Sequence, residues 1–176
     1  MIDFKQINEV AKENGVVFFG STYFESVPVS ELAQDFDTDL PVYNRSVGGL
    51  TIDKVGDVLE SCVLDLEPSK LFICLGDEDI KSESFSLSDF IEKYQWMLYT
   101  LHNRCKAKIY IVSVMSLDPK ASAVNERLKR LAADTGCIYV DTQAALKSAK
   151  STLRFFSVLR YFMRKHPITF NEAMMA

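Results

Sequence analysis

Five short apolar runs, separated by longer segments of helical periodicity, set the strongest limit on what this sequence can fold into. They occupy residues 16–19, 41–43, 71–75, 109–114 and 137–140. Three of them are continuous rather than alternating, the pattern of strands buried on both faces. The segments between them carry a different period. Over 53–66, Val55, Val58, Leu59, Cys62, Val63 and Leu66 fall on one helical stripe. Ser88, followed by apolar positions from Ile91 to Leu101, predicts a capped helix of about four turns. A third helix is expected over 124–133, stopped at Gly136. Strands alternating with helices imply a parallel sheet, and right-handed crossovers place helices on both its faces. The expected fold is therefore α/β: a flavodoxin-like, three-layer α/β/α sandwich with a five-stranded parallel sheet.

The 176 residues suit one domain spanning 1–176. A domain of this size buries about 70% of its unfolded surface and needs no disulfide or metal to hold a core. The net charge of −4 argues against a general nucleic-acid binder, which needs a basic footprint. No run approaches the roughly 18 apolar residues of a membrane span. The first ten residues lack the pattern of a secretory signal, so the cytoplasm is the expected location. Cys62, Cys74, Cys105 and Cys137 match no zinc spacing and read as structural residues, Cys74 and Cys137 as small core residues. Glu25, Asp77, Glu78 and Asp79 with His166 match no tight ligand spacing either. Gly48-Gly49 is too short for a phosphate loop. No metal or cofactor is expected.

In open parallel sheets, ligands sit beyond the carboxyl ends of the strands. The residues to inspect are Gly20-Ser21-Thr22, the stretch 44–49, Gly76-Asp77-Glu78-Asp79, Ser116 and Leu117. His166 follows the last run. In that order, from about residue 15 to 172, these segments resemble the SGNH hydrolases, also called the GDSL esterase/lipase superfamily. The resemblance implies that VVFFGSTYFES is the first block, with Gly20, Ser21 and Thr22 on its Gly-Asp-Ser positions. YNRSVGGLT would be the second, with Gly49 as the oxyanion-hole glycine. LFICLGDED would be the Gly-x-Asn-Asp block, with Glu78 on the asparagine position and Asp79 on the last. MRKHP would be the Asp-x-x-His block, with Met163 on the aspartate position and His166 on the histidine.

Hydrolysis of this type needs a nucleophile, a base, a group that orients the base, and donors for the oxyanion. The resemblance places Thr22 as nucleophile, with Ser21 beside it as second candidate. Threonine attacks in some hydrolases, but its methyl restricts χ1 and crowds the carbonyl. Alternatively, both hydroxyl residues cap the segment that follows. His102 falls late in a helix, which leaves His166 as the catalytic imidazole. Met163 cannot orient it, and losing the acid in triad enzymes costs about 10⁴ in turnover. Glu78, when ionised, can only accept hydrogen bonds. A carboxylate about 4 Å from an oxyanion repels it by roughly 4 kcal/mol at an effective dielectric of 20. A protonated Glu78 could donate, provided burial raised its pKa.

The expectation is an esterase-fold protein that is non-hydrolytic and binds a small acylated ligand or a protein partner. The alternative is an active acylhydrolase or carbohydrate esterase using Thr22 or Ser21 with His166. The stretch 147–165 holds Lys147, Lys150, Arg154, Arg160, Arg164 and Lys165 and no acid. Phe155, Phe156, Leu159, Phe162 and Met163 share one of its helical faces. It reads either as a helix packed beside the pocket or as a surface for a homodimer, a protein partner or a membrane. The family's final helix, after His166, is expected to be short or absent, leaving apolar surface open.

Overall fold

The strands form where the apolar runs lie. In the structure, a computed structural model, residues 4–36, 38 and 40–164 are described. The strands are β1 Val16–Gly20, β2 Val42–Asn44, β3 Lys70–Cys74, β4 Lys108–Val112 and β5 Ile138–Val140. They make one sheet in the order β2-β1-β3-β4-β5, every neighbouring pair parallel. Position in the sheet explains the hydropathy pattern. All five residues of β1 are buried, as are four of five in β3 and β4. The edge strands β2 and β5 are mostly half-buried and carry weaker runs.

The helices are α1 Phe4–Asn8, α2 Thr22–Ser26, α3 Val29–Asp35, α4 Val55–Cys62, α5 Leu87–Arg104, α6 Lys120–Thr135 and α7 Ser151–Met163. Successive strand residues point to opposite faces. Val17, Phe19, Leu71, Ile73, Ile109 and Ile111 meet α4, α5 and α6 in one core. Val16, Phe18, Phe72, Cys74, Tyr110 and Val112 meet α2, α3 and α7 in the other. The three-layer sandwich follows from this division. In the second core, Phe18, Phe72 and Tyr110 stack across three strands. Their centroids are 4.9 and 4.5 Å apart and each pair of planes is tilted by 10°.

Three local readings shift. The helix expected over 53–66 is α4 flanked by short 3-10 turns at Ile52–Lys54 and Leu64–Leu66. The cap of α5 is Ser86 rather than Ser88, its hydroxyl accepting from the Asp89 N–H. Cys137 is half-buried beside the edge strand rather than in the core, while Cys74 is buried. Gly136, at φ +71°, ends α6 as expected.

The basic-aromatic stretch is also resolved differently from one of its readings. Phe155, Phe156, Leu159 and Met163 of α7 are buried in the chain's own second core, and Phe162 packs against it. The stripe is therefore unavailable to a homodimer or partner. The segment after His166, expected to be short or absent, lies outside the described residues. Lys70, at the start of β3, donates its ammonium to the carbonyls of Phe162 and Arg164. This cation satisfies carbonyls left without intrahelical partners at the end of α7.

Candidate functional site

The loop after β3 organises the carboxyl edge of the sheet. Gly76 adopts φ +119°, and a side chain there would meet Val114 Cγ2 at 2.9 Å, so glycine makes the turn. Asp77, Glu78 and Asp79 follow in sequence and go three separate ways. Asp77 Oδ2 accepts from the Tyr23 N–H at 3.0 Å and so holds the start of α2. Asp79 Oδ1 accepts from the Ile52 N–H at 2.9 Å and so holds the loop after β2. Glu78 remains at the mouth, its side chain 17% exposed.

These clamps bring Thr22, Gly49 and Glu78 together. The Gly49 N–H donates to Thr22 Oγ1 at 3.0 Å. Gly49 lies at φ +74°, a left-handed conformation that glycine adopts without strain. The Thr22 hydroxyl lies near enough to the Glu78 carboxylate to favour its charged form. Lys81, three residues along a 3-10 turn, donates to Glu78 Oε1 at 2.7 Å. Lys81 first and Thr22 second hold the Glu78 carboxyl below its ordinary range. Glu78 is thus an anion at neutral pH, which removes the option of a protonated, donating Glu78. Thr22 is exposed and bridges two loops rather than capping α2.

Ser21 behaves differently from its neighbour. It occupies the N-cap position of α2 without making a side-chain cap bond. Its hydroxyl is fully buried and has no hydrogen-bond partner. Its reading as a second nucleophile meets a side chain that no ligand can touch without rearrangement. Met163 sits in the second core, 1% exposed. His166 lies outside the described residues. His102 is on the surface at the end of α5, its Nδ1 2.9 Å from the Leu98 carbonyl. Among the described residues, no imidazole stands at the carboxyl edge, and no group of three or more His, Cys, Asp or Glu is arranged to hold a metal.

The sequence places Asp77 and Asp79 at a strand end, Asp79 on the last position of the Gly-x-Asn-Asp block, but assigns neither a bonding partner, and its reading missed Lys81. The available signals were two acids flanking Glu78 at a buried strand end and a lysine at i+3. Burial pushes the Asp77 carboxyl up, and it pushes Asp79 to about 6. An unfolded aspartate titrates near 3.9. The folded state therefore holds the Asp79 proton more tightly. Its contribution to stability falls as pH rises from about 4 to about 6, by at most roughly 3 kcal/mol. Asp79→Asn keeps an acceptor for Ile52 and cannot ionise. It is expected to remove most of this fall, leaving the smaller slope from Asp77. Urea midpoints at pH 4.5 and 7.5 measure it, and an unchanged slope would count against the assignment.

Neither a family model nor a curated protein sequence matches the chain. Solved structures do match. The chain is similar to a Streptococcus pneumoniae protein named as a platelet activating factor, with a TM-score of 0.77 and 15% identity over 91% of this chain and 89% of that one. It is similar to a GDSL-like lipase from Bacteroides thetaiotaomicron, with a TM-score of 0.71 and 14% identity over 90% and 93%. It is also similar to an acetylxylan esterase from Geobacillus stearothermophilus, solved as a catalytic mutant, with a TM-score of 0.69 and 14% identity over 84% and 93%. Identities this low speak for architecture alone. With the strand order, the all-parallel pairing and these neighbours in agreement, the chain has the fold of the SGNH hydrolase superfamily.

Proposed function

We propose that this SGNH-fold chain is non-hydrolytic and binds a small acylated ligand at the carboxyl edge, around Thr22, Gly49 and Glu78. The ligand class is that of the lipase and acetylxylan esterase named above. The observation that carries the reading is the Glu78 carboxylate, held ionised by Lys81, with the Thr22 hydroxyl near it. A developing oxyanion beside Thr22 would meet this negative charge where the family pattern has an amide donor. One lost donor costs about 10²–10³ in turnover, before any repulsion is added. The Gly49 N–H, the other donor, is engaged by Thr22 itself.

The alternative, hydrolysis by Thr22 with His166, is favoured by one observation: Thr22 is exposed and lies near a carboxylate. A carboxylate with a depressed pKa is a weak base toward an alcohol. An assay with p-nitrophenyl acetate separates the readings. The parent protein is expected to match buffer hydrolysis, and triacetin is expected to raise its Tm without being consumed. Robust turnover, abolished both by Thr22→Ala and by His166→Ala, would overturn the proposal.

A further inference from the structure

On the face of the sheet that carries α4, α5 and α6, a groove of about 420 Å³ runs between α4 and α5. Its floor is apolar, with Val55, Leu59 and Met97 among its residues. Trp96 of α5 lines it, and Tyr99, nearly one turn further on, stands beside Trp96. Trp96 is 63% exposed and Tyr99 62%, and their rings meet edge to face at 5.8 Å. Large aromatics this exposed are enriched where proteins meet partners. Opposite them, α4 offers Gly56, where an added side chain would have no neighbour within 4 Å. One lip of the groove is a knob and the other is a hole.

The charges on the two lips are sorted in the same way. The groove-lining charges on the α4 side are Asp53 and Glu60, both acidic, and those on the α5 side are Lys93 and Arg104, both basic. They pair across the two ends of the groove, Lys93 with Asp53 at 2.6 Å and Arg104 with Glu60 at 2.8 Å. Exposed pairs of this kind contribute little to the fold. Lys93 also holds Asp89 of its own helix at 2.6 Å, so three acids face two bases and the small net charge does little to keep two copies apart in salt.

We infer that this groove is an isologous interface between two copies of the chain. A two-fold axis along the groove lays the acidic lip of each copy on the basic lip of the other. It sets Glu60 against the partner's Arg104, Asp53 against the partner's Lys93, and Trp96 over the partner's Gly56. In an isologous interface every such contact occurs twice. A peptide or another protein would fill the groove once and would have no reason to match both lips.

The chain has a single tryptophan, so its fluorescence reports on this face alone. Sedimentation velocity from about 1 to 200 μM, with Trp96 emission recorded on the same samples, should show a monomer–dimer equilibrium. The emission should shift to the blue as dimer forms. Trp96→Ala and Gly56→Arg change exposed or open positions, and each should weaken dimerisation at least tenfold while the far-ultraviolet circular dichroism stays native.

Charge reversal tests the axis. Glu60→Arg and Arg104→Glu should each weaken self-association, and mixing the two variants should restore a heterodimer, because each then meets its complement twice. A parent that stays monomeric with red, quenchable Trp96 emission would overturn the inference. So would a dimer that survives both Trp96→Ala and Gly56→Arg, or a mixture that fails to restore association.

Discussion

Replacing Phe72 with alanine is expected to lower the unfolding free energy by about 3–5 kcal/mol, the range for a large aromatic removed from a packed core. Phe72 is fully buried at the centre of β3, stacked on Phe18 on one side and on Tyr110 on the other. Its removal costs the transfer of a phenyl ring, two aromatic contacts and a cavity between α3, α7 and the sheet. Flanking strands hold the backbone on both sides, so the site cannot collapse to fill the space. Phe72→Leu should cost less than half as much. Urea denaturation with an unchanged m-value measures both, and a loss below about 1 kcal/mol for the alanine variant would show that the ladder is not a unit.

The second large effect concerns the aspartate that the sequence comparison would restore. Met163→Asp is expected to destabilise the chain by about 4 kcal/mol or more, without any gain in esterase activity. Met163 is 1% exposed in the second core, where the carboxyl would meet aromatic and aliphatic neighbours. Removing a buried methionine costs about 2–5 kcal/mol. An unpaired carboxyl in the same place adds a desolvation cost or must take up a proton. Met163→Leu is the matched control and should cost less than about 1.5 kcal/mol. Equal stabilities for the two variants, compared at pH 7.5, would place position 163 at the surface instead.

The fold was legible because burial on both faces leaves a direct trace in sequence. A strand such as β3 must be apolar at nearly every position, and a crossover helix such as α6 must be striped. What one residue does at a distance leaves no such trace. Thr22 and Gly49 are 27 residues apart, and Tyr23 and Asp77 are 54 apart. Only folding shows that Asp77 and Asp79 clamp the loops on either side while Glu78 between them stays at the mouth. Ser21 and Thr22 are chemically alike in sequence, yet one hydroxyl is sealed and the other is exposed. The stretch 147–165 misled in part for a similar reason. Its apolar stripe is equally suited to the chain's own sheet and to another molecule's surface, and periodicity does not say which.

The Phe18–Phe72–Tyr110 ladder has a consequence for how the protein is made. Its cover, α7, ends 53 residues after Tyr110 in the chain. At roughly 10 residues per second of synthesis, a nascent chain on the ribosome carries an uncovered aromatic face for about 5 s. During that interval the first core, closed by α4, α5 and α6, can already assemble, while the second waits for its last helix. A chaperone that recognises exposed aromatic strands would find its target in this window, and a transcript truncated before residue 151 would leave that target open for good.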